Sequence, residues 1–152
     1  MKGRLHGFTL IELVVTISII AILAAVALPR YITLQTQART AKAQGIYGGV
    51  RSAAVLAHAQ AIATNSVLSA TVAMEGVNVD QVNGYPAATL TGIARALQLD
   101  ATNDQVTITP GGGATALTVD MVGGTLTTCT VSYTESPAAN TSPTINVVTT
   151  GC

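Results

Sequence analysis

The chain has 152 residues, 49% of them hydrophobic and only 9% charged, with a formal net charge of zero. That length holds one ordinary domain plus an anchoring segment, and the charge balance excludes general affinity for nucleic acid. The charges are nonetheless polarised. Arg30, Arg39, Lys42 and Arg51 fall between Leu13 and Met74 with no acid among them, whereas Glu75, Asp80, Asp100, Asp104, Asp120 and Glu135 face Arg95 alone in the remainder. A basic stem leading to an acidic head is either a device for stacking copies of the chain or a pair of solvated surfaces.

At the amino terminus, Lys2 and Arg4 precede Gly7-Phe8-Thr9-Leu10-Ile11-Glu12, and the seventeen residues from Leu13 to Pro29 carry no charge. As a helix, the span 8–29 reaches roughly 33 Å, enough for a hydrocarbon core of about 30 Å. Ten large aliphatic residues between Leu13 and Leu28 favour an apolar environment by roughly 15–30 kcal/mol at about 1.5–3 kcal/mol each. A carboxylate costs about 2.5–3.5 kcal/mol at the centre of a bilayer, so Glu12 reads as functional. An ordinary secretory signal cut at Ala25-Val26-Ala27 is one alternative, although an acid inside its apolar core argues against it. An uncleaved transmembrane anchor is another.

The Gly7-to-Glu12 motif resembles the amino terminus of type IV pilins and the related pseudopilins. The resemblance implies that residues 1–7 are a leader, removed between Gly7 and Phe8 by a membrane-embedded prepilin peptidase that also N-methylates Phe8. It further implies that residues 8–29 form a transmembrane and assembly helix, with Phe8, Glu12 and Pro29 as its assembly residues. The implied partners are other copies of the chain in a homopolymer, the peptidase, and an assembly platform with an ATPase motor. No nucleotide-binding motif occurs in this chain, so any motor is another protein. The implied location is the inner membrane, amino terminus cytoplasmic and head periplasmic, and then an extracellular fibre.

Elementary electrostatics gives Glu12 a use in such a fibre. A new amine on Phe8 is mostly charged at neutral pH, and an amine and a carboxylate in low dielectric are each costly alone. Bringing one copy's amine to another's Glu12 removes both penalties and selects one axial register. Phe8 and Glu12 also stand four residues apart, so pairing within one chain is the competing arrangement. Helix association in lipid gains little hydrophobic energy; Ala21, Ala24, Ala25 and Ala27 offer close packing instead.

Residues 30–65 are expected to continue the helix as an amphipathic stem. Ile46, Val50, Ala53, Ala54, Ala57 and Ala61 recur at helical spacing, leaving Arg39, Lys42 and Arg51 to project elsewhere, and a stop is expected near Thr64-Asn65-Ser66. Gly45, Gly48 and Gly49 weaken the helix, at about 1 kcal/mol each relative to alanine. Residues 66–152 read as a β-rich head. A short helix is expected within Leu90–Leu99, capped by Thr89 or Thr91. Strands are expected at 105–109, 115–119, 129–133 and 144–148, with a glycine turn at 111–113. The fold class is α+β: one long helix, half of it membrane-spanning, laid on a small antiparallel sheet.

Cys129 and Cys152 are the only cysteines. An even pair in a translocated head reads as a disulfide, two unrelated buried thiols being the alternative; the pilin resemblance also implies a bridge near the carboxy terminus. Catalytic constellations and cofactor motifs are missing. His58 reads as a packed or exposed helix residue, and Glu75, Asp80, Asp100 and Asp104 lack calcium-loop spacing. Neither metal nor cofactor is expected, nor is an enzyme. Pro29-Arg30-Tyr31, Leu34-Gln35, Ala38-Arg39 and Gly84-Tyr85-Pro86-Ala87-Ala88 resemble the mannose-sensitive haemagglutinin pilin group. The expected function is that of a structural pilus subunit serving adhesion or surface motility. The alternatives are a type II secretion pseudopilin and a non-polymerising anchored or secreted binding domain.

Overall fold

The computed structural model describes residues 7–67, 70–139 and 141–152. Helix α1 (Leu10–Ala63) takes up 54 residues and passes through Pro29 without a break. It ends where expected, and the reason is local. Asn65 adopts a left-handed conformation, φ 52°. Its N–H donates to Ile62 O at 3.1 Å, and Ser66 N–H donates to Ala61 O at 2.8 Å. This pair of bonds satisfies carbonyls that a helix end leaves open.

The chain divides into two compact units, one ending at Thr36 and the other spanning Gln37–Cys152. In the first, every large apolar side chain from Phe8 to Leu34 is exposed, between 46% at Val14 and 80% at Leu10. Three hydroxyl side chains there turn inward on their own helix. The hydroxyls of Thr16, Ser18 and Thr33 donate to the carbonyls of Glu12, Val14 and Pro29 at 2.7–3.0 Å. An apolar surface with its polar groups internally satisfied is what a bilayer demands of a helix, and α1 is long and apolar enough to cross one.

In the second unit, Val50, Ala53, Ala54, Ala57 and Ala61 of α1 are buried, as the periodicity predicts; Ala43, outside the expected stripe, is buried as well, and Ile46 is half-buried. The alanine face allows close approach. At Gly49 even a Cβ would come within 2.8 Å of the Leu97 side chain, so this glycine makes room for a neighbour. Among the described residues the head carries two antiparallel sheets where one was expected. The first runs β1 (Thr71–Met74), β2 (Val77–Val82), β3 (Tyr85–Pro86). Its two hairpins turn on Glu75-Gly76 and Asn83-Gly84, all four residues at positive φ, the geometry that two-residue hairpin loops require. The second sheet is β4 (Val106–Thr109), β5 (Leu117–Met121), β6 (Thr130–Thr134), β7 (Thr144–Val148), in that order.

Other departures from expectation have visible causes. Strand β5 begins at Leu117 because Thr115 closes a tight turn, exchanging backbone bonds with Gly112 at 2.9 and 3.1 Å. The short helix is only α2 (Ile93–Ala96). Gln98, at φ 56°, terminates it as Leu99 N–H donates to Ala94 O at 2.9 Å. Its N-cap is Gly92 rather than Thr89 or Thr91; Thr89 Oγ1 accepts from Gly92 N–H at 3.0 Å, and Thr91 donates to Asp80 Oδ2 at 2.5 Å. The main core gathers Val50, Ala53 and Ala54 from α1, Ile93 from α2, and Leu117, Val119, Val131 and Tyr133 from the second sheet. A smaller cluster joins Ala57 and Ala61 to Val72 and Val79 of the first sheet.

Candidate assembly site

Helix α1 opens with a reciprocal cap. Thr9 precedes the first helical residue, and its N–H and hydroxyl both donate to Glu12 Oε2, at 2.9 and 2.7 Å. Glu12 N–H donates in return to Thr9 Oγ1 at 3.3 Å. The Thr-x-x-Glu spacing thereby satisfies free donors of the first turn, and the carboxylate lies where the helix dipole favours negative charge. The sequence carried this signal in plain form; reading Glu12 only for its charge passes over Thr9.

Of the residues expected to act in assembly, Glu12 is held by Thr9, which was not among them, whereas Phe8 lies ahead of α1 together with the expected cleavage residue Gly7. The Phe8 side chain is 75% exposed. Within the chain, then, the Glu12 carboxylate serves Thr9. Pro29 lies mid-helix. The leader before Gly7, with Lys2 and Arg4, lies outside the described residues.

At the other end of the chain, Cys129 and Cys152 form a disulfide with Cα atoms 4.7 Å apart. The bridge is buried and does not act alone. Gly151 exchanges backbone bonds with Thr125 and Thr128 at 3.0 and 2.8 Å, and Arg39 Nη1 donates to Cys152 O at 3.1 Å. Lys42 Nζ likewise donates to the carbonyls of Asp104 and Gln105. Arg39 and Lys42 were expected to project away from the head; instead they bond its carbonyls, leaving Arg51 exposed.

The contacts of Glu135 and Tyr133 went unrecognised in the sequence. Glu135 is buried and accepts from Ala88 N–H at 2.7 Å and Gly113 N–H at 2.6 Å. It thereby ties the glycine turn to the segment after β3. Tyr133, also buried, donates to Pro86 O at 2.6 Å; burial first, then the nearby Glu135, pushes its phenol well above the usual range. His58 stacks on Tyr85 at 4.0 Å, and its Nδ1 donates to Gly84 O at 2.8 Å, since a carbonyl can only accept. Asp100 accepts from Asn103 and Thr102 N–H at 2.9 and 2.8 Å, which holds its carboxyl below the usual range. Among the described residues no cluster of three metal-ligating side chains occurs.

Comparison with known proteins decides what this arrangement belongs to. The model of the prokaryotic N-terminal methylation motif matches residues 4–28. The type IV narrow pilus major component PilA5 of Thermus thermophilus is 48% identical over 58 residues, 38% of this chain and 50% of that protein. The fimbrial protein EcpC of Eikenella corrodens is 34% identical over 110 residues, 64% of this chain and 72% of that protein. The chain belongs to the type IV pilins. This pilin spans about half the length of PilA5 in the match, and no solved structure matches it.

Proposed function

We propose that this pilin is a structural subunit of a type IV pilus, serving adhesion or surface motility, and not an enzyme. The observation that carries the reading is the start of α1. Residues matching the methylation motif include a capped carboxylate, Glu12, at the head of a helix whose large apolar side chains are exposed as far as Leu34. In this reading the leader is cut after Gly7 by a prepilin peptidase, and Phe8 becomes a methylated terminal amine. Residues 8–29 then hold the subunit in the inner membrane, head outward, until a platform and ATPase draw it into the fibre. Residues 30–65 and 66–152 serve as the stem and head.

The cap refines how Glu12 meets a neighbour's amine. Oε2 is engaged by Thr9, while Oε1 has no partner among the described residues. Oε1 is therefore the atom left open to a neighbour's Phe8 amine. Thr9 fixes its direction beforehand, so less freedom is lost when the ion pair forms.

The test is the mass of the mature subunit, with imaging of the cell surface. A terminus at methylated Phe8 together with extended fibres is the expected result. A start at Leu28, or an intact Met1, would remove the assembly role of Glu12. Correct processing with short periplasmic assemblies in place of fibres would favour a secretion pseudopilin.

A further inference from the structure

Strand β7 is the free edge of the four-stranded sheet. It pairs with β6 on one side, from Thr130↔Val148 to Thr134↔Thr144. On its other side, no backbone group of 144–148 has a hydrogen-bond partner among the described residues. Natural sheets guard such an edge with charge, proline inside the strand or a covering element. The opposite edge of this sheet has Lys42 bonded to the carbonyls of Asp104 and Gln105 just ahead of β4. Thr144-Ile145-Asn146-Val147-Val148 carries neither charge nor proline.

We infer that β7 is an interaction surface for a second copy of this chain, the two β7 strands pairing antiparallel about Asn146. The inference rests on the pilus reading above and names a contact between fibres. Its support is the fit of the strand to itself. Thr144, Asn146 and Val148 are exposed on one face, while Ile145 and Val147 are half-buried against the core. Antiparallel pairing centred on Asn146 overlaps all five residues. It sets Asn146 opposite Asn146, Ile145 opposite Val147 and Thr144 opposite Val148. Each face then meets its like, whereas a slip by one residue would mix the faces. The head around it is acidic, but the five residues of β7 themselves carry no charge to oppose a copy of the same strand.

Such a contact is two-fold and closes on itself. A fibre that grows by one repeated head-to-tail contact has no use for it along its own axis, so it joins two fibres side by side. Many weak edges along two fibres act together.

The experiment uses the full chain. Asn146→Cys and Thr144→Cys are compared under mild oxidation, both in sheared fibres and as subunits in detergent. The pairing brings the two 146 positions within about 5.5 Å across the strands, but separates the two 144 positions by roughly 13 Å, at about 3.3 Å per residue. Asn146→Cys is expected to give at least tenfold more covalent dimer. Asn146→Lys is expected to keep fibre yield while dispersing the lateral bundles of the parent. Dimer from N146C no stronger than from T144C in both preparations, or N146K fibres that bundle like the parent, overturns the inference. Should no fibres form at all, the pilus reading fails, and the cross-link in detergent still decides the β7 contact.

Discussion

Thr9 and Glu12 hold each other at the start of α1, the hydroxyl and N–H of one on a single carboxylate oxygen of the other, 2.7 and 2.9 Å away. A cap of this kind stabilises a helix start by about 1 kcal/mol, a factor near five in local opening. Thr9→Ala should accordingly raise hydrogen exchange of the amides in the first turn about fivefold in the full chain in detergent. Exchange near 50, within the buried part of α1, should not change. Equal exchange in the first turn of the variant and the parent would mean that Glu12 is not held by Thr9.

Glu12 itself is expected to matter to assembly rather than to stability. Its residue is exposed and outside both hydrophobic clusters, so Glu12→Ala should leave the amount of subunit in the membrane near that of the parent. Sheared fibre yield should fall at least tenfold, because the neighbour's amine then has no counter-charge in low dielectric. Glu12→Gln retains an acceptor but not the charge, and should fall nearly as far. Fibre yield of Glu12→Gln at parental level would transfer the effect from the charge to the cap.

The carboxy-terminal tail offers a test of coupling. Cys129 and Cys152 are 23 residues apart, and closing a loop of that size stabilises the fold by roughly 3–4 kcal/mol on chain-entropy grounds. Cys152→Ser should lose that much in denaturant titration. Arg39→Ala alone loses a bond from a charged donor, about 1.5–3 kcal/mol. Once the bridge is gone the tail is free to leave, so Arg39→Ala should cost at least about 1 kcal/mol less in the Cys152→Ser background. Strict additivity would show that Arg39 stabilises something other than the tail.

The helical half of this fold was legible because its signals are long and periodic. About four turns of alanine and aliphatic spacing from Ile46 to Ala61 leave little ambiguity, and Asn65 marks the stop. Strands β4 and β7 were legible by alternation. The β1–β2–β3 sheet was missed because its strands are short, down to two residues at Tyr85–Pro86, and none alternates cleanly. Its true signature lay in the turns, Glu75-Gly76 and Asn83-Gly84, each spaced for a two-residue hairpin. The roles of Arg39, Lys42 and Glu135 could not be read in the same way. Each bonds a backbone group distant in sequence, from 22 residues away for Glu135 and Gly113 to 113 for Arg39 and Cys152, and sequence spacing carries no trace of such a meeting.

Tyr133 couples the two sheets of the head, its hydroxyl on β6 donating to Pro86 O of β3, and it ought to give the fold an alkaline limit. Its phenol is raised in the folded state by burial and by Glu135. The neutral form is therefore favoured by folding, and its contribution is fully present below the unfolded value of about 10. Above that pH the unfolded chain releases the proton first, and stability falls as pH rises towards the folded value. Tyr133→Phe leaves Pro86 O without its donor and should cost about 1–3 kcal/mol at pH 8. The gap between parent and variant should narrow between about pH 10 and 11.5, since phenylalanine does not titrate. Urea titrations of both chains across that range decide the matter: a gap of constant size would mean that another group sets the alkaline limit.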